Sequence, residues 1–390
     1  MIDHADVVII GAGIFGVSAA FYIARDTKLS VALIEKNTQG SGSSGRSASV
    51  VRHNYSTDLL AESALRSQKI FENFEKEVGE PVEFVKNGYL AVVSEEKSGG
   101  LKTIVERMKR FSVNVNFLSP GEISAKYPFM SVEGVNAGIE NLDAGYVYDP
   151  QVPVDLYTRY AQKSGAKYYD RTRVTGIKTS EGRVRSVVTD RGEIRTDLVI
   201  NASGPWAKEV GKMVGLDIPV ESQRQQLVDL LPAKPWELTK PTISDHDMQV
   251  YVRPMKGGIA HVGGHYFGAP CDPDHYNTGA DKEFIESVTE KISKRVPVLK
   301  GAKVMKGYSG LYENTQDTYP IVGESSEVKG FVNCVGWSGH GFKHGPVFGI
   351  LLKELVETGR TSIDISSLRL ERFEQHQLVN RAYNVSAPYG

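Results

Sequence analysis

The sequence predicts an α/β fold that begins with a Rossmann-like nucleotide-binding unit. Three stretches predict it. Val7, Val8, Ile9 and Ile10 form a short apolar run, and GAGIFG (residues 11–16) follows, running into Val17, Ser18, Ala19 and Ala20. A second apolar run, Leu29 to Ile34, ends at Glu35. Near the other end, Gly330 to Val335 leads into GWSGHGFKHGP (336–346) and a helix-forming segment from Val347 to Thr358. Twice, a buried strand opens through glycines into a helix N-terminus, whose free N–H groups and partial positive charge suit phosphate.

Each glycine of the first motif has a separate task. Gly11 permits the tight turn, Gly13 lets the backbone approach a pyrophosphate, and Gly16 lets the helix pack close to the strand. Ile14 and Phe15 begin that helix. Glu35 can accept both hydroxyls of an adenosine ribose and would repel a 2′-phosphate. The reading is an ADP-containing dinucleotide, FAD or NAD. The alternative is a tight strand–helix turn that holds no ligand.

The chain has 390 residues, which predicts two domains. Apolar residues at 40% and charged residues at 24% describe a globular protein, and a net charge of −1 argues against nucleic acid as a partner. Cys271 and Cys334 give neither a disulfide framework nor metal-ligand spacing, which fits a reducing compartment. Asp3, His4 and Asp6 precede the first apolar run, so no signal peptide and no membrane-spanning stretch is expected. A cytoplasmic location is the expectation.

The remaining elements follow in order. Gly40 to Ser49 is a small-residue loop with Arg46 inside it, suited to a second phosphate or ring contact, or to a solvated surface loop. Ser56 or Thr57 caps a helix to about Glu77, with Leu60, Ala64, Phe71 and Phe74 as its apolar stripe. Tyr89 to Val93 reads as a strand, Leu101 to Phe111 as a helix, and Gly121 to Tyr127 as a short helix. Asp143 to Pro150 reads as a turn-rich crossing. Pro153 opens a helix to Ser164, and Val174–Lys178 with Arg183–Thr189 and Glu193–Ile194 forms a small meander. The strand Asp197–Ile200 ends in Asn201, Ala202, Ser203, Gly204, Pro205 and Trp206, again leaving room for a ligand against backbone. From Gln223 strands alternate, with a hairpin of Gln249–Pro254 and Gly258–Gly264, a helix Asp281–Val296 and a strand Lys303–Leu311.

Four of these segments together resemble a known family. GAGIFG with Glu35, GSSGRSASVVRHNY (42–55), NASGPWA (201–207) and GWSGHGFK (336–343) are similar to the FAD-dependent D-amino acid oxidase superfamily. Within it they resemble the sarcosine oxidases, both the monomeric form and the β subunit of the heterotetrameric form. The resemblance implies a discontinuous FAD-binding domain at 1–85, 145–225 and 320–390. It implies an α+β substrate domain with a large antiparallel sheet at 86–144 and 226–319. Carried over by position, the FAD contacts are Gly11, Gly13, Ile14, Phe15, Gly16, Glu35, Lys36, Ser43, Ser44, Arg46, Ser47, Val174, Ala202, Gly204, Trp206 and Gly310. The turn Gly339, His340, Gly341, Phe342 and Lys343 completes them.

The resemblance also implies a substrate carboxylate held between Arg52 and Lys343, and an active-site role for His265. His261, Tyr251 and Arg253 lie nearby in sequence and could line the pocket or simply pack. His261 and His265 are four apart, but Gly263 and Gly264 argue against a helix, so no metal is expected. Gly310 stands where the monomeric enzymes tether flavin through a cysteine, which implies non-covalent FAD. His261 stands where they carry an oxygen-activating lysine, which leaves oxygen or a redox partner as acceptor. Tyr312 stands near the carboxylate arginine of glycine oxidase, which weakens that assignment. The implied reaction is hydride transfer to flavin from a sarcosine-, proline- or glycine-like amino acid. Two rivals share the fold: a dehydrogenase of a 2-hydroxy acid or glycerol 3-phosphate, and a flavin subunit of a hetero-oligomeric dehydrogenase. A homo-oligomer is the other assembly expected.

Overall fold

The computed structural model of the chain describes residues 2–264 and 269–379. A six-stranded sheet runs in the order Ile321–Glu324, Phe331–Val335, Val199–Asn201, Val7–Ile10, Val31–Ile34, Lys167–Tyr169. All neighbours are parallel except the edge strand Ile321–Glu324. Val7–Ile10 is buried along its whole length, because helices cover one face and the small meander covers the other. That is why the run is continuously apolar rather than alternating. Helix Ile14–Asp26 packs between Gln151–Lys163 and Gly345–Thr358. The approach to the last helix is close: Ser18 Oγ donates to Gly345 O at 2.9 Å, and a Cβ on Gly349 would lie 2.6 Å from Ser18 Oγ.

A second, eight-stranded sheet is built from residues 89–141 and 221–314. Its order is Lys303–Asn314, Glu221–Leu231, Ile259–Gly264, Val250–Met255, Thr242–Asp245, Tyr89–Val93, Ala137–Asn141, Val115–Leu118. It is antiparallel apart from one parallel pair, Thr242–Asp245 beside Tyr89–Val93. Alternation gives it two unlike faces. Leu90, Val92, Val228, Leu230, Val250, Val252, Ala260 and Val262 pack under helix Lys282–Arg295 through Phe284, Val288 and Ile292. Tyr251, Arg253, His261 and Asp229 occupy the opposite face.

Several local expectations change. The helix expected from Thr57 to Glu77 is two, Asp58–Glu72 and Phe74–Val78. Asn73 breaks it, with φ −121° and ψ 29° and its side chain turned back to Lys69 O at 2.9 Å. The crossing 143–150 contains a strand, Gly145–Val147, between Val50–Val51 and Phe84–Val85. Gly145 makes this possible, since a Cβ there would stand 2.3 Å from Val85 O. The strand from Lys303 continues past Leu311 to Asn314, held by pairing with Glu221. Among the described residues no helix is long and apolar enough to cross a membrane.

Candidate active site

The two glycine-rich turns, more than three hundred positions apart, line one cavity. Phe15 stacks on Trp337 with ring centroids 4.3 Å apart, and a Cβ on Gly345 would lie 2.3 Å from Ile14 Cγ1. Gly11 has φ +103°, and a Cβ there would stand 2.4 Å from Ala202 O. A Cβ on Gly16 would stand 1.9 Å from Gly11 O. Both glycines therefore serve packing. Gly13 differs: an added Cβ would meet only Ser44 Oγ, at 3.1 Å. The space beside it faces the cavity, as a backbone cradle for pyrophosphate requires.

Glu35 is half-buried at the end of its strand. Its Oε2 accepts from Ala12 N at 2.9 Å and its Oε1 from Asn37 N at 2.9 Å. Each oxygen keeps a further lone pair, so the anchored carboxylate can still accept two ribose hydroxyls. Ser44 Oγ accepts from Ile14 N at 2.9 Å, and Ser43 Oγ donates to Leu311 O at 2.8 Å. Arg46 turns back on its own loop, donating to Ser41 O and to Gly42 O. Lys36 lies 3.6 Å from the centre of the Trp206 ring and pairs with Asp274, which also accepts from Trp206 Nε1 at 3.0 Å. A cradle at Gly13, an anchored acid for ribose and a long wall of small residues fit FAD.

Of the residues named from sequence, Gly11, Gly13, Ile14, Phe15, Glu35, Lys36, Ser43, Ser44, Arg46 and Ser47 line this cavity. So do Val174, Ala202, Gly204, Trp206, Gly310, Gly339, His340, Gly341, Phe342, Lys343, Arg52 and Tyr251. Gly16 and His261 are not among the lining residues. Gly16 is sealed against Gly11. His261 is held in the sheet face, with Nδ1 2.6 Å from Asp229 Oδ1 and Nε2 3.5 Å from Tyr308 OH. Burial and the Arg253 charge hold its pKa below the ordinary histidine range. His265 lies outside the described residues.

Two cations stand at the wall where the cavity meets the eight-stranded sheet. Arg52 is 6% exposed, donates to Asn54 O at 2.7 Å and lies 4.9 Å from the Tyr55 ring centre. Lys343 is 6% exposed and donates to His340 O at 3.1 Å. Among the described residues no carboxylate lies within ion-pair distance of its ammonium. Burial, and next the Arg52 charge, push the Lys343 pKa well below the usual lysine range. A carboxylate arriving between the two would relieve both effects.

Two residues behind and beside this wall escaped the sequence reading. Tyr55, fully buried, takes its hydroxyl to His344 Nε2 at 3.0 Å while its ring faces Arg52 and Lys343. The residues HNY were in view, but nothing in sequence tells which tyrosine backs a cation. Glu313 lines the cavity with Oε2 buried and, among the described residues, without a hydrogen-bond partner. Burial pushes its pKa up to about 7, against backbone hydrogen bonds from Gly336 and Trp337. An acid inside SGLYENT, a run otherwise fit for a buried strand, was the available signal.

Known proteins place this architecture. The structure of L-proline dehydrogenase from P. horikoshii superposes with a TM-score of 0.89 at 27% identity, covering 97% of this chain and 100% of that one. Glycine oxidase from Geobacillus kaustophilus shares the fold, with a TM-score of 0.83 at 24% identity over 95% and 99% of the two chains. In sequence, sarcosine oxidase subunit beta of Rhodobacter capsulatus is 26% identical over 97% of this chain and 90% of its own length. Mitochondrial sarcosine dehydrogenase of Mus musculus is 26% identical over 96% of this chain, which spans only 42% of that relative. The profile of the DAO family, FAD dependent oxidoreductase, matches residues 6–355, so this chain belongs to the FAD-dependent oxidoreductases of the DAO family.

Proposed function

We propose that the chain oxidises the C–N bond of a small amino acid or N-methyl amino acid, sarcosine-, proline- or glycine-like. The observation that carries this is the buried lysine beside a buried arginine on the wall of a dinucleotide cavity, with no acid among the described residues paired to the lysine. Without an anion, burial and the Arg52 charge drive the lysine toward its neutral form, and an anion arriving between the two restores its charge. A substrate carboxylate fits: Arg52 offers a planar fork and Lys343 a point charge, each charged hydrogen bond contributing about 1.5–3 kcal/mol. Fixing the carboxylate fixes the α-carbon, and catalysis becomes largely positioning. The same two positive charges favour the neutral amine, whose lone pair is needed as the C–H bond breaks. Bound FAD supplies the two-electron acceptor for that hydride. Gly310 offers no thiol to the cofactor, and a Cβ there would already lie 3.2 Å from Arg46 Cβ, which supports non-covalent binding.

The acceptor in the second half-reaction is oxygen or a redox partner. A neutral His261 tied to Asp229 offers no positive charge for oxygen, which supports the partner. A second reading, a flavin subunit of a larger enzyme, draws on the near full-length likeness to a sarcosine oxidase subunit. The test is anaerobic mixing of the yellow protein with sarcosine, L-proline, glycine, 2-hydroxyglutarate and glycerol 3-phosphate, followed by flavin absorbance. Bleaching by an amino acid, lost in R52M, is expected. Bleaching only by a hydroxy substrate would overturn the proposal, and bleaching that needs a co-purifying chain would favour the second reading.

A further inference from the structure

Arg253 is another buried cation, on the sheet face that carries Tyr251 and His261. It is 2% exposed, and its ordinary structural explanations fail one by one. Among the described residues its one well-aligned hydrogen bond is long, Nη1 to Pro254 O at 3.4 Å, its Nε has no partner, and Tyr146, Tyr308, Tyr251 and Asp229 are the groups that favour its charge. No carboxylate among the described residues lies within ion-pair distance. Asp229, the acid on the same sheet face, stands two strands away, with Arg253 opposite His261 and His261 opposite Asp229. That is about 10 Å between backbones. Asp229 is also already engaged by His261 Nδ1 at 2.6 Å. What surrounds the guanidinium is aromatic: it lies 4.4 Å from the Tyr146 ring centre, and the buried Tyr146 hydroxyl has Arg253 as its polar neighbour.

The position of Arg253 relates it to the cavity. It follows Tyr251 by two residues on strand Val250–Met255, so both point to one face, about 7 Å apart along the strand. Tyr251 lines the cavity and leans over Gly263, where a Cβ would collide with its ring at 2.3 Å. Val50, another lining residue, pairs with Tyr146 across the short sheet. The guanidinium thus stands just beyond the cavity wall, beside Tyr251 and Tyr146.

We infer that Arg253 is a second anion anchor, and that the substrate class is an amino acid carrying a second carboxylate on its side chain or its nitrogen substituent. The first carboxylate meets Arg52 and Lys343; the second reaches the planar fork of Arg253 once the wall beside Tyr251 yields, since Arg253 does not itself line the cavity. This rests on the amino-acid reading above, and the test separates the two. Purified flavin-containing protein is titrated with straight-chain acids in matched pairs of equal carbon number: succinate and butyrate, glutarate and valerate, adipate and hexanoate. Binding is read by calorimetry and by perturbation of flavin absorbance. The expected result is that one dicarboxylate binds at least about tenfold tighter than its matched monocarboxylate, the chain length reporting the span between anchors. In R253M and in R253Q, which keeps amide hydrogen bonding if R253M folds poorly, that ratio falls to within about twofold. R52M weakens every acid of the series. If monocarboxylates bind and respond to R52M while no dicarboxylate gains, the Arg253 assignment is overturned and the first anchor stands. An intact ratio in both Arg253 variants overturns it equally. If no acid binds at all, both assignments fall.

Discussion

Arg372 and Lys343 are both buried cations, and they are buried in opposite ways. Arg372, 1% exposed, is fully met: Nε and Nη2 reach Asp317 at 2.8 and 3.0 Å, and Tyr319 O, Leu368 O and Arg369 O accept its other protons. Lys343 donates to one carbonyl and faces a second cation. Glu313 completes the contrast from the other sign, a buried acid lining the same cavity, with one oxygen that no described residue meets. Burial alone therefore says little about role. The satisfied charge fastens the C-terminal segment to the fold, whereas the unsatisfied ones mark where something else must bind.

Asp317→Asn should have the largest effect. It leaves the Arg372 guanidinium buried without its anion, and breaking such a pair costs about 3–5 kcal/mol. Urea unfolding of the flavin-loaded protein reads the loss, and the pattern of acids bound should not change. A loss below about 1 kcal/mol would mean that the fold tolerates an unpaired charge there, and the contrast with Lys343 would collapse.

Glu313→Gln comes next and has a pH signature. The acid's folded pKa of about 7 lies above its unfolded value of 4.5. Between the two the folded state holds more protons, so stability falls as pH rises from 4.5 to 7. The loss is on the order of 3 kcal/mol. The glutamine variant should lack that slope, and thermal unfolding at pH 5 and pH 8 measures it. Equal slopes in both proteins would show that Glu313 finds a partner.

Lys343→Met tests the site itself. Removing an uncompensated buried cation should leave stability intact or raise it, while carboxylate affinity falls by about 1.5–3 kcal/mol, roughly 10–150-fold in Kd. The lysine also has its own pH dependence. Its folded pKa lies below the unfolded value of 10.5, so across that window the unfolded chain binds more protons and stability rises with pH. The methionine variant should flatten this rise. A strong loss of stability with unchanged carboxylate binding would make Lys343 a structural residue.

The same contrast explains what was legible beforehand. The dinucleotide half is written in backbone terms: glycines that a Cβ would violate, an apolar run buried on both faces, an acid at a strand end. Such features are local, so Gly11, Gly16 and Glu35 could be assigned tasks from sequence, and the structure gives Gly11 and Gly16 their packing reasons. The sheet half is written in cross-strand neighbours. Val115–Leu118 and Ala137–Asn141 carry weak patterns and are strands because they pair with each other, and the second also with Tyr89–Val93. Whether Arg253 packs or reaches a cavity depends on the register that sets it opposite His261, which no window of sequence contains. The break at Asn73 was likewise hidden, since the apolar stripe runs through it undisturbed.

The smallest effect is expected where a charge is paired but not buried. Arg159 Nη1 reaches Glu80 Oε1 at 2.6 Å, with side chains 52% and 45% exposed. By distance alone this contact is shorter than those holding Arg372 and would rank above them. Water already solvates both groups, so forming the pair removes little desolvation and fixes two long side chains. Arg159→Ala should therefore change stability by less than about 1 kcal/mol, and the residual should shrink further in 1 M salt, where screening acts over about 3 Å. A loss comparable with that of Asp317→Asn, insensitive to salt, would mean that distance rather than burial ranks the charges of this protein, and Lys343 could then no longer be read as a site from its surroundings.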